Sequence, residues 1–214
     1  MFGRAAGKSV LVLLATVEVL LGSEWGNRAL MVGGRAGVPF TAQFEERQTE
    51  MRADGTQVVM RQSGRLFVDR AGRTRLEMTI PAEIKVGEPA PDLSPPSFAM
   101  LYDASGSTVA GIDLVTNELT WEKTSLPLEG SQPATAMGPP GPGDLGTRLI
   151  DGATCDGFRF QSADLEAESW VSRKTWRVVL ETKKTQSTVV SYRMFDIVLQ
   201  DPDPKLFAVL EQSP

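Results

Sequence analysis

From Phe40 onward, apolar and polar residues alternate with period two, and short turns ending in glycine break the pattern at intervals. Between Val58 and Asp69, Val58, Met60, Leu66 and Val68 fall on one face, and Arg61, Ser63, Arg65 and Phe67 on the other. Between Arg73 and Ile80, Thr74, Leu76, Met78 and Ile80 oppose Arg73, Arg75, Glu77 and Thr79. Period two with one apolar face predicts half-buried β-strands. Downstream of residue 39 no stretch carries a 3.6-residue period, so helix content should be low.

Three tripeptides separate these runs: Ala53-Asp54-Gly55, Arg70-Ala71-Gly72 and Ala104-Ser105-Gly106. Each predicts a three-residue hairpin loop whose last position needs positive φ, which glycine adopts at least cost. The loop type fixes register. The second loop sets Asp69 opposite Arg73, Phe67 opposite Arg75 and Arg65 opposite Glu77, so that charge and cation–aromatic pairs meet across the ladder. A slip of one residue would break all three and invert the apolar face. The first loop sets Phe44 opposite Gly64, Ala42 opposite Leu66 and Phe40 opposite Val68. A two-residue Asp54-Gly55 turn is the competing arrangement, and it would pair Phe44 with Arg65.

Residues 81–98 hold five prolines and are read as a long surface loop. Strands resume over 98–103, 107–112 and 118–122. Residues 123–146, ending in a Pro/Gly run, are read as a second irregular stretch. Asp151-Gly152 marks another turn. Strands then follow over 153–161, 165–172, 176–183 and 187–199. In the last of these, Val190, Tyr192 and Met194 share one face but Phe195, Ile197 and Leu199 share the other, which predicts a β-bulge near residues 194–196. Pro204 to Leu206 is expected to form one helical turn that tucks Phe207 beneath the sheet. The fold class is therefore all-β: a bent antiparallel sheet or half-open barrel of roughly nine to eleven strands, in one domain over 39–214.

The N-terminus changes the picture from fold to location. Arg4 and Lys8 precede the short apolar run Ser9–Val17, and Gly22 and Ser23 follow, as in an export signal. The run is too short to span a bilayer as a helix, which needs about 20 residues. Glu18 within it and Leu21 before the small residues depart from a good signal. Residues 1–23 are read as a signal peptide and 24–38 as a loose arm. The expected location is the periplasm or exterior of a bacterial envelope.

Charge and composition mainly exclude. A net charge of −5 argues against nucleic acid, which needs clustered Lys/Arg. The chain has no histidine, which removes the usual general base and zinc ligand and every Ser-His-Asp or Cys-His arrangement. Cys155 is the single cysteine, so no internal disulfide forms, and with no histidine to activate it a small buried or half-exposed role is expected. Glu166 and Glu168 share a strand face, and Glu45-Glu46 flank a strand, but nothing sets a pair at catalytic separation. Asp201 and Asp203 lack the spacing of a calcium loop. No enzyme activity, metal or cofactor is expected.

Two groups of residues remain as candidate sites. Trp121, Trp170, Trp176 and Tyr192 fall on predicted strands and either line an apolar pocket or fill the core. Trp176, Val178 and Leu180 are expected on one face, and with Trp170, Tyr192 and Leu66 they make the candidate ligand-binding set. Arg61, Arg65, Arg73 and Arg75 form a basic patch. It is either an anion-recognising rim or a solvated face with cross-strand ion pairs.

The strings DGTQVVMRQSGRLFVDRAGRTRLEM and GTRLIDGATCDGFRF, with the C-terminal SWVSRKTWRVVLETKK and DPDPKLFAVL, resemble a broad group of exported, mostly uncharacterised bacterial proteins. In that group a GR-x-R hairpin, an I-x-G turn, a Trp-bearing strand and a closing DPxLF recur. Here these are Gly72–Arg75, Ile150–Gly152, Trp170 and Asp203–Phe207. More distantly, the strand order resembles the LolA/LolB/RseB lipoprotein-carrier fold, an incomplete antiparallel barrel with a concave apolar face. The resemblance implies an exported, non-enzymatic protein that binds a lipid or an acylated protein. The carriers insert helices where this chain has Pro/Gly-rich stretches. The alternative is a module that docks on another envelope protein through a sheet edge or its long loops.

Overall fold

The computed structural model describes residues 37–79, 82–86, 95–103, 108–123 and 143–212. The signal segment, nearly all of the arm, the Ala104-Ser105-Gly106 loop and stretches 87–94 and 124–142 lie outside the described residues.

Twelve strands make one antiparallel sheet: β1 (Phe40–Met51), β2 (Gln57–Val68), β3 (Thr74–Met78), β4 (Ala82–Lys85), β5 (Phe98–Tyr102), β6 (Thr108–Asp113), β7 (Leu119–Lys123), β8 (Asp144–Ile150), β9 (Ala153–Gln161), β10 (Glu166–Ser172), β11 (Val178–Lys184) and β12 (Thr188–Val198). A 3-10 helix, Pro204–Gln212, closes the described chain. The strand order is β7-β6-β5-β3-β2-β1-β12-β11-β10-β9-β8, with β4 beside β2. The sheet is open, with β7 and β8 at its two ends.

The two glycine loops form as the sequence predicts. The Gly55 N–H donates to the Arg52 carbonyl at 2.9 Å and the Gly72 N–H to Asp69 at 3.0 Å, with φ of 82° and 92°. The register follows: Phe44 faces Gly64, Ala42 faces Leu66, Phe67 faces Arg75 and Arg65 faces Glu77. The three-residue Ala53-Asp54-Gly55 loop thus prevails over the two-residue turn. Asp151 and Gly152, both at positive φ, join β8 to β9. The predicted bulge is present: Asp196 has φ 52°, and the β1–β12 register shifts between Thr41 and Gln43. Phe207 is fully buried in the C-terminal helix.

Two strands were not expected, β4 and β8. Residues 82–85 follow Pro81 but contain no proline, so they keep every backbone donor and pair with Val58–Arg61, on the flank of β2 that β3 occupies further along. β8 starts within the stretch read as irregular. Gly143 and Gly146, both at positive φ, disguise its start, and a register shift against β9 lies between Asp144 and Gly146.

The apolar core lies on one face. Phe40, Ala42 and Phe44 of β1, Leu66 and Val68 of β2, Leu76 and Met78 of β3, Phe98, Met100 and Tyr102 of β5, and Tyr192 and Met194 of β12 form one buried cluster. On the other face a smaller cluster, Ala99, Leu101 and Ala110, packs against Val209 and Leu210 of the helix. β3 is therefore buried on both faces, including Arg75 and Glu77, which alternation alone assigns to solvent.

Candidate functional site

Residues directly opposite one another in an antiparallel ladder share a face, so the faces can be followed across the sheet. Met194 pairs with Phe44, and Tyr192 pairs with Glu46 on one side and Glu181 on the other. Glu181 pairs with Ser169, and Ser169 with Phe158. All of these lie on the face of the main core. That face is concave. Four strand spacings separate β3 from β11, about 19 Å in a flat sheet. Yet the Arg177 guanidinium, just before β11, donates to the Thr74 hydroxyl of β3 at 3.3 Å. The sheet curls until its flanks meet across the core.

The concave face has two parts. Its floor is closed: Phe40, Phe44, Leu66, Val68 and Met194 are each 1% exposed or less. Arg177 is buried beside it, and burial pulls its guanidinium down to about 10, against the opposing effect of the Tyr192 phenol. It remains cationic at neutral pH. Burial likewise pushes the Tyr192 phenol up. Beyond Tyr192 the same face becomes a mouth. There the half-buried Glu46, Gln48 and Glu50 of β1 and Met60 and Gln62 of β2 stand on the face of Val190, Lys183, Glu181, Ser169 and Ala167.

Within the mouth Lys183 and Glu181 pair at 2.8 Å, with side chains 14% and 11% exposed. The Ser169 hydroxyl donates to the other oxygen of Glu181 at 2.7 Å. Among the described residues no hydrogen bond or ion pair reaches the Glu46 carboxylate. Burial raises its pKa above 4.5; Lys183 opposes the rise and Glu181 adds to it. Glu45 and Glu46 do not flank a strand: both lie in the middle of β1, paired with Ser63 and Gln62, and so point to opposite faces of the sheet. The signal was available: Glu46 continues the alternating series Phe40, Ala42, Phe44.

The candidate ligand residues divide. Leu66 and Tyr192 lie in the concave floor, and Val178 packs against it. Trp170 and Leu180 face the other way, in a separate cluster with Ile150, Cys155 and Val179. The shared face expected of Trp176, Val178 and Leu180 does not form. A register shift between Trp170 and Val171 places an extra residue at Val179 and reverses the phase. Trp176 is in the turn before β11, at φ 58° and 37% exposed, rather than on a strand. Trp121 packs partly against the helix-side cluster.

The four arginines lie on the convex face. Arg61 is exposed, opposite Arg47. Arg65 donates to Glu77 Oε2 at 2.7 Å, and Arg75 to Glu77 Oε1 at 2.9 Å and to the Leu206 carbonyl at 3.0 Å. Arg73 bonds Asp69 at 2.6 Å and sits over the Phe207 ring. Three of the four fasten the sheet to itself or to the helix.

Cys155 is buried, and burial pushes its thiol up to about 11. Glu168 is held by the Trp170 indole and Arg159, and Asp201 by Arg70. Among the described residues no group of three or more metal-binding side chains converges, and no helix is long and apolar enough to cross a membrane.

No protein-family model matches the sequence, and no curated protein matches it. Solved structures do align. MucB is 12% identical over 86% of this chain and 60% of its own, with a TM-score of 0.39. A putative outer membrane lipoprotein-sorting protein domain from Vibrio parahaemolyticus is 10% identical over 91% and 98%, at 0.36. A β-barrel-like DUF1849 protein from Brucella abortus is 7% identical over 77% and 98%, at 0.42. The chain spans 30% of PNGF-II, another aligned structure (13% identical over 78% of this chain, TM-score 0.35), and 60% of MucB. Scores of this size leave function to be argued from the chain's own residues.

Proposed function

We propose that this chain is a non-enzymatic binding protein of the bacterial envelope, and that it receives an acyl chain or another apolar segment at the mouth of its concave face. The observation that carries the reading is the change in character along that face, from a closed apolar floor to a half-exposed, mixed lining. Pockets for amphiphiles combine apolar walls with a few polar groups that orient the ligand. The floor is already filled by the chain's own side chains, so the ligand would lie against Met60, Val190 and Ala167. Burying apolar area there contributes about 25 cal/mol per Å². Export rests on the N-terminal signal pattern.

A second reading is docking of another envelope protein on the sheet edge. It draws on β8, an end strand whose Leu149 is 69% exposed.

Native mass spectrometry of protein purified gently from the envelope fraction, followed by organic extraction, tests the choice. A stoichiometric acyl-containing adduct supports the first reading. A clean apo mass together with an in-cell crosslink to β8 replaces it with the second. Recovery only from the cytosol, with residues 1–23 retained, refutes export.

A further inference from the structure

Within the binding reading above, on which this rests, we propose that Thr175, Trp176 and Arg177 form a strained latch that holds the sheet curled, and that its release spreads the flanks and widens the concave face for ligand entry. The three residues end the turn between β10 and β11. From there the Arg177 guanidinium reaches across to the Thr74 hydroxyl of β3 at 3.3 Å. The turn itself is firmly built. The Ser172 N–H donates to the Arg177 carbonyl at 2.8 Å, the Trp176 N–H to Ser172 at 2.9 Å and the Arg173 N–H to Thr154 of β9 at 2.9 Å. Release therefore means separation of this flank from β3, not unfolding of the turn. A pivot lies beside it. Val178 pairs with Val171 of β10, whereas the pairing of β11 with β12 covers only Leu180 to Lys184. The extra residue at Val179 and the Asp196 bulge of β12 interrupt the strands at the same level.

Closure is costly at each of the three residues. Thr175 is 1% exposed, and among the described residues its hydroxyl has no hydrogen-bond partner. A buried hydroxyl without a partner forfeits the bonds it makes in water. Trp176 sits at φ 58°, where a bulky side chain is strained. Arg177 is 1% exposed, and burial disfavours its charge. The costs at Thr175 and Arg177 vanish once the turn meets water. The apolar floor carries no such cost, since Phe40, Phe44, Leu66, Val68 and Met194 gain by burial. The curl is thus weakest where the two flanks meet, and separation there breaks no strand ladder. Elements that gate access to a site are drawn from such low-stability regions.

The test is a spin-label distance measurement on the full chain, with nitroxides on Ala71→Cys and Lys174→Cys. Both positions are exposed, one on each side of the seam, and the buried Cys155 stays unlabelled. A major short distance and a minor long one are expected. Thr175→Val keeps the shape of the side chain and deletes the orphan hydroxyl, so the long-distance fraction should fall about five-fold or more. Thr74→Val deletes the acceptor for Arg177, so that fraction should rise by a similar factor. Stopped-flow uptake of dansyl-aminoundecanoic acid should slow in Thr175→Val and quicken in Thr74→Val. One narrow distance shared by the wild type and both variants overturns the latch. Uptake at one rate in all three proteins overturns its role in entry while leaving the binding reading intact. No uptake by the wild type overturns the binding reading and the entry role together.

Discussion

Replacing Glu77 by leucine should be among the most damaging single changes in the sheet, and the reason is local. The Glu77 side chain is 7% exposed and accepts from Arg75 at 2.9 Å and from Arg65 at 2.7 Å. The Arg75 side chain is 11% exposed; among the described residues its other partner is the Leu206 carbonyl. Without Glu77 a guanidinium stays buried between the sheet and the 3-10 helix with no counter-charge. Breaking a buried pair from one side costs about 3–5 kcal/mol. The Arg65 contact adds little, because that side chain is 55% exposed and screened, so Arg65→Ala should cost at most about 1 kcal/mol. With a urea m-value of about 2 kcal/mol/M, the Glu77→Leu midpoint should fall by roughly 1.5–2.5 M. The companion measurement is the double variant Arg75→Met with Glu77→Leu. Removing both charges leaves an apolar contact, which should restore most of the lost stability. A Glu77→Leu loss below about 1 kcal/mol, or a double variant less stable than either single one, would refute the argument that burial of this pair, rather than a solvated basic patch, governs the convex face.

Stability should also depend on pH through Glu46. Its folded pKa is raised by burial above 4.5, so its proton is bound more tightly in the folded state, and that contribution is complete below 4.5 and lost as pH rises through the folded value. Chemical denaturation should therefore show Glu46→Gln gaining on the wild type between pH 4.5 and neutrality; a constant difference across that range would contradict the placement. Gly157→Ala should destabilise by about 1–3 kcal/mol in thermal melts, since its Cβ would lie 2.6 Å from the buried Trp170 ring, and Trp170→Leu in the same chain should relieve part of the loss. Cys155, with its thiol near 11 and no solvent exposure, should resist a thiol reagent at pH 8 in the folded protein and react promptly once unfolded. Arg61→Glu, on the exposed convex face, should leave ligand uptake unchanged and stability within about 0.5 kcal/mol.

The pairing of β1 with β2 and of β2 with β3 was legible because local chemistry and long-range register agree there. A glycine at positive φ closes each of the two described three-residue loops, and that geometry leaves one register in which Arg65 meets Glu77 and Phe40 meets Val68. The phase break between Met194 and Phe195 revealed the Asp196 bulge, because two apolar faces cannot follow one another in a regular strand. β4 and β8 were missed for the converse reason: proline and glycine density describes a neighbourhood, whereas pairing depends on which individual residues keep their donors. The second burial of β3 was also hidden, since no alternation within a strand reveals that a helix 131 residues further on will bond Arg75.

The candidate site was harder to read, and the two errors there share a cause. Val178 and Leu180 are two apart and look equivalent, yet the extra residue at Val179 sends one to the concave core and the other to the opposite cluster. Trp176 reads as the first residue of a strand but adopts positive φ, a conformation that a bulky side chain rarely takes and that tertiary contacts must enforce. Aromatic and aliphatic content says that something will be buried; it does not say on which face. Glu46 carries the opposite lesson. It falls in phase with Phe40, Ala42 and Phe44, and the strand has no bulge between Phe44 and Glu46 to change its face. A charged residue that keeps the phase of the core must occupy the core side of the sheet, and it is tolerated there only near the mouth, where its carboxylate still finds water or a cation. The residue that breaks the apolar series without breaking its period is therefore the more reliable marker of a binding face than the aromatic residues that complete it.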